Sequence, residues 1–490
     1  MAHVDAAQQE LALLALDTAQ ARGASYADVR IIRNLTEHIY AKNEKVGHIQ
    51  RSEDLGFGVR VLANGSWGYA SSGRLDRAEV ETVAARAVAI GLASASLKEH
   101  DVVLAEEPPH LAVWERPLEK DPFQVSLNDK VSLLLECNRE MLKVGPVRVA
   151  EARMEFDREE QLFASTEGSL IQQNLVQSGA GYWATAVGEG DTQRRSYPAA
   201  FVGQCMGRGY ELIEELDLPG YAQQTAEEAA ALLTAPQCES GVKDIILGPS
   251  QLCLQIHESV GHPLELDRVL GTEANFAGTS FVTPDKLRKL RYGSEHVTIM
   301  ADTTLPGGLA TVAYDDEGVE AQTWPLIERG LFVGYLTSRE TAPAIGEERS
   351  RGAMRAHGWR RVPIVRMTNI SLMPGEWTLE ALIEDTQDGL YMETNKSFSI
   401  DQQRVNFQFG TEVGWEIKNG KKTRLIKNPT YQAITTQFWG SCDAVCNQDH
   451  WVPCGINSCG KGEPMQSAQM THGAAPARFR QIKVGVAYAD

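Results

Sequence analysis

Gln255-Ile256-His257-Glu258-Ser259-Val260-Gly261-His262-Pro263-Leu264-Glu265-Leu266-Asp267 sets two histidines around a glutamate that directly follows the first of them. Neutral imidazole is the commonest protein ligand for a catalytic divalent metal. A carboxylate next to such a ligand is placed to act as a general base, as in the H-E-x-x-H arrangement. Here the spacing is one residue longer. At roughly 100° per residue an i, i+4 pair lies about 40° apart around a helix and an i, i+5 pair about 140° apart. His257 and His262 therefore share a metal only if the helix ends between them or widens by a π-bulge. Gly261 is expected to supply unusual backbone angles, and Pro263 to push His262 out of the α region. A helix is expected from about Pro249, with Leu252, Ile256 and Val260 on its buried face. The competing reading is two histidines that merely make hydrogen bonds at a helix-to-loop transition.

A catalytic zinc usually takes three protein ligands, and the remaining donors lie far along the chain in Cys454-Gly455-Ile456-Asn457-Ser458-Cys459-Gly460-Lys461-Gly462. Either Cys459 completes the His257/His262 set, or Cys442, Cys446, Cys454 and Cys459 form a separate structural site. The four-cysteine spacing lacks the paired C-x2-C pattern of zinc ribbons. His450 and His472 are nearby alternates.

The surrounding chain has 490 residues, 43% hydrophobic and 23% charged, and a formal net charge of −18 from 65 acidic and 47 basic residues. That balance argues against nucleic acid or an anionic membrane as partner, since both need basic surface. A local basic cluster at Arg349, Arg351, Arg355, Arg360, Arg361 and Arg366 stands against it. No apolar run approaches the ~18 residues of a transmembrane helix, and the N-terminus does not read as a secretory signal. Eight cysteines in this length are not a disulfide scaffold. A cytoplasmic protein is expected.

Helical patterns at about 5–22, 77–95, 127–143 and 222–234 alternate with strand patterns at 28–34, 37–43, 56–63, 66–72, 147–156, 161–165, 169–177 and 179–189. Asn64-Gly65 reads as a tight hairpin turn, and the proline-rich stretch 101–125 as irregular. The order suggests a weak structural repeat. Strands and helices segregated in this way imply an α+β class, with an N-terminal domain of antiparallel strands and helices over about 1–235. A second domain, about 243–490, is expected to be a mainly antiparallel sheet or barrel carrying the metal helix. Its strands are placed at 244–247, 297–301, 310–314, 331–336, 364–370, 389–394, 406–410 and 413–418, with a turn at Asn419-Gly420 and a long, mobile loop at 271–294.

Four separated pieces resemble the TldD/PmbA family, and its TldD branch in particular: His257-Glu258-x-x-Gly261-His262-x-Leu264-Glu265-x-Asp267, Tyr314-Asp315-Asp316-Glu317-Gly318-Val319, Arg361-x-Pro363-x-x-Arg366-Met367-Thr368-Asn369, and Cys459-Gly460-Lys461. The resemblance implies a zinc metalloprotease with His257, His262 and Cys459 as ligands and Glu258 as general base. It further implies cleavage of unfolded or extended peptides, including precursors of ribosomally made peptide products. It implies a homodimer, or a heterodimer with a PmbA/TldE-like subunit lacking the metal motif. The chain departs from the family pattern at His262-Pro263 and in its extra C-terminal cysteines. Arg360, Arg361 and Arg366 are candidates for a substrate carboxylate, or pair with surface acids. Asp315, Asp316 and Glu317 are candidates for orienting the histidines, or form an acidic turn. Two rival functions remain: a scaffold with a structural metal, and a zinc-dependent amidase acting on non-peptide substrates.

Overall fold

The computed structural model describes residues 6–485 except residue 202. Its first half is one eight-stranded sheet. Strands Ser66–Ser72, Lys45–Ala63, Tyr26–Lys42, Val147–Ser165 and Leu170–Val187 lie side by side in that order, all antiparallel. Six of the short strands expected from the sequence fuse into three, Leu170–Val187 among them. Tyr26–Lys42 runs unbroken through Asn34-Leu35-Thr36, and Val147–Ser165 runs through Asp157–Glu160. Neither polar stretch holds a Gly or Pro to turn the chain, and each finds ladder partners on both flanks, from Asp28↔Ser165 to Lys42↔Glu151. Within 101–125, read as irregular, Leu111–Glu115 adds a short strand parallel to Leu170–Val187.

Asn64 and Gly65 take positive φ values of 49° and 71°, the turn geometry their sequence favours. Helices Ala6–Ala21 and Arg77–Ser94 bury Ala15, Ala19, Val83 and Ala87 against one end of the sheet. Leu127–Leu142 and Leu218–Thr234 bury Leu134, Met141, Ala222 and Ala229 against the other. The helix expected from residue 5 begins at Ala6 within the described residues.

The second half is built on a closed five-strand barrel. Asp388–Ile400, Gly241–Leu247, Ala477–Gly485, Thr430–Ile434 and Asn406–Lys418 pair in a ring, which the ladder between Asn406–Lys418 and Asp388–Ile400 closes. Phe407, Phe409, Tyr431, Phe438 and Phe479 pack together within it. A four-stranded sheet (Leu331–Phe332, Thr323–Glu328, Ile299–Asp302, Asn369–Leu372) and a long hairpin, Val452–Lys461 with Gln466–Ala474, complete it. The strand expected at 310–314 is absent, because its backbone groups bond instead to Arg116, Gln173, Asn369 and Thr303.

The fold is thus α+β with a barrel in the second half. The turn Asp315-Asp316-Glu317 docks it on the first sheet. Glu317 and Asp28 lie 3.0 and 2.6 Å from the buried Arg60 guanidinium, and Asp316 accepts from Gln161 at 2.7 Å.

Candidate metal centre

Gly241–Leu247 of the barrel runs directly into helix Pro249–Ile256, with Pro249 at its first turn. This helix is buried on every side. Leu252, Ile256 and Val260 enter the core, all 0% exposed. The stripe beside them, Gln251, Gln255 and Ser259, is polar at i, i+4 and i+8 and is fully answered. Tyr431 Oη accepts from Gln251 Nε2 (2.8 Å) and donates to Gln255 Oε1 (2.9 Å), and Trp439 Nε1 donates to Ser259 Oγ (2.9 Å). Buried polar groups are tolerated when paired in this way.

At His257 the helix widens into a π turn spanning His257–Gly261, then tightens into a 3-10 turn over His262–Leu264. The π register brings the i, i+5 histidines onto one face, with ring centroids 4.9 Å apart. His262 itself stays in the α region (φ −59°, ψ −40°), contrary to the expectation from Pro263, and the chain leaves the helix only at Glu265. The cost of a proline inside a helical turn is a missing N–H and a stranded carbonyl. Here the Tyr292 hydroxyl donates to the Ser259 carbonyl that Pro263 cannot reach. Gly261 is also ordinary in angle (φ −59°, ψ −64°). It is needed for space, since a Cβ there would sit 2.0 Å from Met367 Sδ.

The hairpin strand Val452–Lys461 brings Cys459 across from the histidines. Ligand atoms of His257, His262 and Cys459 all lie within 4.8 Å of one another, all three side chains are buried, and Cys459 Sγ is 3.4 Å from His262 Nε2. This is the one cluster of three or more potential ligands among the described residues. The donor set fits a zinc-type cation. Each histidine has its Nδ1 engaged, His257 with His472 Nε2 and His262 with Glu265 Oε2, both at 2.9 Å, which leaves the Nε2 atoms for a metal. Burial holds both imidazoles well below their usual pKa, hence neutral. Burial also pushes the Cys459 thiol up to about 12 despite nearby Arg366, so a thiolate here calls for a cation.

Supporting groups to which sequence reasoning gave no orienting role surround this set. His472, weighed as an alternate ligand, instead bridges His257 to the Ile370 carbonyl (3.0 Å). Glu265 and Asp267 face Lys461, whose Nζ lies 3.6 Å from Glu265 and 2.7 Å from Asp267. Arg404 pairs with Glu258 through Nη1. Burial raises the Glu258 carboxyl, and Arg404 opposes that rise. Glu265 and Lys461 lie in motifs already visible and His472 was a candidate ligand, but which atom each faces depends on the π turn and the hairpin register.

Glu258, the two histidines and Cys459 line a cleft of about 720 Å³. Phe398–Ile400 and Cys454–Gly460 form part of its wall, and the first half of the chain contributes Arg153 and Ala199–Phe201. Of the arginine candidates, none lines it. Arg360 is exposed, 3.0 Å from Asp54 and stacked on Trp359. It lines a different cleft together with Arg361. Arg366 is buried and donates to the Cys459 and Gln466 carbonyls (2.6 and 2.9 Å), so it fixes the cysteine strand. Asp315 caps the backbone of Glu317, Val319 and Met354 and touches neither histidine. Cys442 and Cys446 are buried in the core and Cys454 lines the cleft. His450 accepts the Leu379 N–H.

Residues 240–485 match the PmbA/TldA metallopeptidase C-terminal domain, residues 27–91 domain 1 of the same metallopeptidase, and residues 120–233 its central domain. A metalloprotease of Methanocaldococcus jannaschii is 30% identical over 438 residues, 89% of this chain and 92% of the relative. A zinc metalloprotease TldD homolog of Saccharolobus solfataricus is 21% identical, covering 95% and 98% of the two chains. TldE of Thermococcus kodakarensis shares the fold, with a TM-score of 0.74 at 14% identity over 98% of this chain and all of that one. No helix among the described residues is long and apolar enough to cross a membrane.

Proposed function

Because the chain belongs to the PmbA/TldD metallopeptidase family, we propose that it is a zinc peptidase in which His257, His262 and Cys459 hold the metal and Glu258 is the general base. The observation that carries this reading is the convergence of two neutral imidazoles, one thiol and one carboxylate at a single cleft. Zinc, when bound, supplies Lewis acidity toward the scissile carbonyl and the attacking water. His472 and Glu265 fix the imidazole rings through their Nδ1 atoms, and Arg366 fixes the cysteine strand through its carbonyl. Glu258 takes a proton from water and returns it to the leaving amine.

The substrate class is an unfolded or extended peptide, including precursors of ribosomally made peptides. Two strand edges at the cleft support this. Phe398–Ile400 pairs with 407–409 on one side, while its parallel neighbour 241–247 stops at Met392. Among the described residues Val452–Lys461 has one strand partner, Gln466–Ala474, and Gln204 occupies the start of its other edge at Pro453 and Gly455. An extended peptide added to either edge would be held by main-chain hydrogen bonds, which read little sequence. Proline-interrupted peptides should then resist cleavage, and rapid cleavage of them would count against strand addition. The TldE-like fold supports a second subunit, as a homodimer or with a PmbA/TldE-like partner. The deciding experiment is Glu258→Gln on a denatured-protein digest: zinc retained and turnover lost supports the reading, whereas full turnover refutes it.

A further inference from the structure

Arg404 carries a duty that its pairing with Glu258 does not exhaust. It sits in a tight turn at φ +66°, a left-handed conformation uncommon outside glycine. The Asp401 carboxylate accepts the N–H groups of Gln403, Val405 and Asn406, and Thr435 Oγ1 donates to the Arg404 carbonyl (2.7 Å). The segment after the metal helix braces the same turn, with Phe281 N–H on the Gln403 carbonyl (3.1 Å) and Gly278 close against Gln402. Strained backbone of this kind persists where the surroundings over-determine it, and it clusters at active sites.

Of the two arginines that line the cleft, Arg153 and Arg404, Arg404 is the one paired with Glu258, and it differs from the other cations packed around the metal ligands in its free donors. Arg366 gives both Nη atoms to carbonyls, Lys461 is taken by Asp267 and the Val365 carbonyl, and Arg268 by Glu273 and the Ala277 carbonyl. Arg404 spends only Nη1, on Glu258; its buried Nε has no partner among the described residues, a feature it shares with Arg268 and Arg366. Its Nη2 makes no hydrogen bond among the described residues, and the side chain lines the cleft beside Glu258.

We propose that Arg404 is a catalytic residue that donates to the carbonyl oxygen of the scissile bond as that oxygen becomes negative; this rests on the reading of Glu258 as general base. As water adds to the carbonyl carbon, its proton passes to Glu258 and the carbonyl π pair moves to oxygen. The carboxylate is neutralised as the oxyanion forms, so one guanidinium stays paired with one negative charge throughout the step. When the carbonyl re-forms, the C–N bond breaks and the nitrogen takes the proton back from Glu258. Preorganised donors aimed at developing charge act in this manner.

The test uses the zinc-loaded full chain, a quenched fluorogenic peptide without proline, and the phosphinic analogue of that peptide as a tetrahedral anion. Arg404→Gln should lower kcat by ~10²–10³-fold with KM little changed, and weaken phosphinate binding by a similar factor. Affinity for the uncleaved peptide, compared between Glu258→Gln and Glu258→Gln/Arg404→Gln, should stay the same. Arg404→Lys, a point charge without the fork, should fall between wild type and Arg404→Gln. Unchanged kcat, or equal weakening of peptide and phosphinate, overturns the proposal. Wild-type turnover in Glu258→Gln overturns the underlying reading as well, and so separates the two failures.

Discussion

Replacing Lys461 by Met probes the charge network that ties the cysteine strand to the histidine turn. The ammonium is fully buried, 2.7 and 2.9 Å from the two Asp267 oxygens and 3.6 Å from Glu265 Oε2. At an effective dielectric of 20, the gross attraction is about 6 kcal/mol to Asp267 and about 5 kcal/mol to Glu265. Desolvation of the three charges offsets most of it. Removing one member of such a buried set typically costs about 3–5 kcal/mol, because the others are left uncompensated. Lys461→Met should therefore destabilise the chain by about that much, and the double variant Lys461→Met/Asp267→Asn by clearly less than the sum of the singles. Glu265 orients His262, so metal affinity should also fall ~10–100-fold. Urea unfolding followed by tryptophan fluorescence and a chelator competition measure the two effects. A loss below about 1 kcal/mol with unchanged metal affinity would refute the reasoning, since it would mean the network contributes neither stability nor ring orientation.

Further outcomes follow from single positions. His472→Ala leaves His257 Nδ1 without its partner and should weaken metal binding ~10–100-fold, read by the same competition. Gly261→Ala places a Cβ 2.0 Å from Met367 Sδ and should cost about 1–3 kcal/mol in urea unfolding, with Met367→Ala restoring part of that loss if the clash is the cause. Burial raises the Glu159 carboxyl to about 7 from an ordinary value near 4.5. A raised carboxyl contributes stability at low pH that is lost as pH rises through the folded value. Glu159→Gln should thus match wild type below about pH 4.5 and exceed its stability by about 1–3 kcal/mol at pH 8; a constant difference across that range would contradict the assignment.

Much of the fold could be read from local pattern. Helices with small or apolar residues at helical spacing, such as Ala12, Ala15 and Ala19, or Leu134, Cys137 and Met141, present the faces that are buried. Turns with Asn-Gly chemistry at 64–65 and 419–420 lie where expected. What pattern did not give was continuity across polar strand middles, because ladder partners more than 100 residues away supply it. The π turn was legible as one of two ways to bring an i, i+5 pair together. Its means were not. Gly261 serves by leaving room for Met367, and Pro263 is tolerated because Tyr292, 29 residues beyond, takes up the stranded carbonyl. Likewise the arginine-rich stretch drew attention as charge, yet burial turns Arg366 into a brace for Cys459 while Arg360 stays on the surface. Arg404 gave no sequence signal, because only the turn at 401–406 aims it at Glu258.

The most direct test of the account is the metal content of the purified chain, compared with His262→Ala and Cys459→Ala. The account predicts about one zinc per wild-type chain and its loss in both variants. Zinc retained in the histidine variant, or none in the wild type after loading, would contradict the three-donor site and the hydrolytic chemistry built on it.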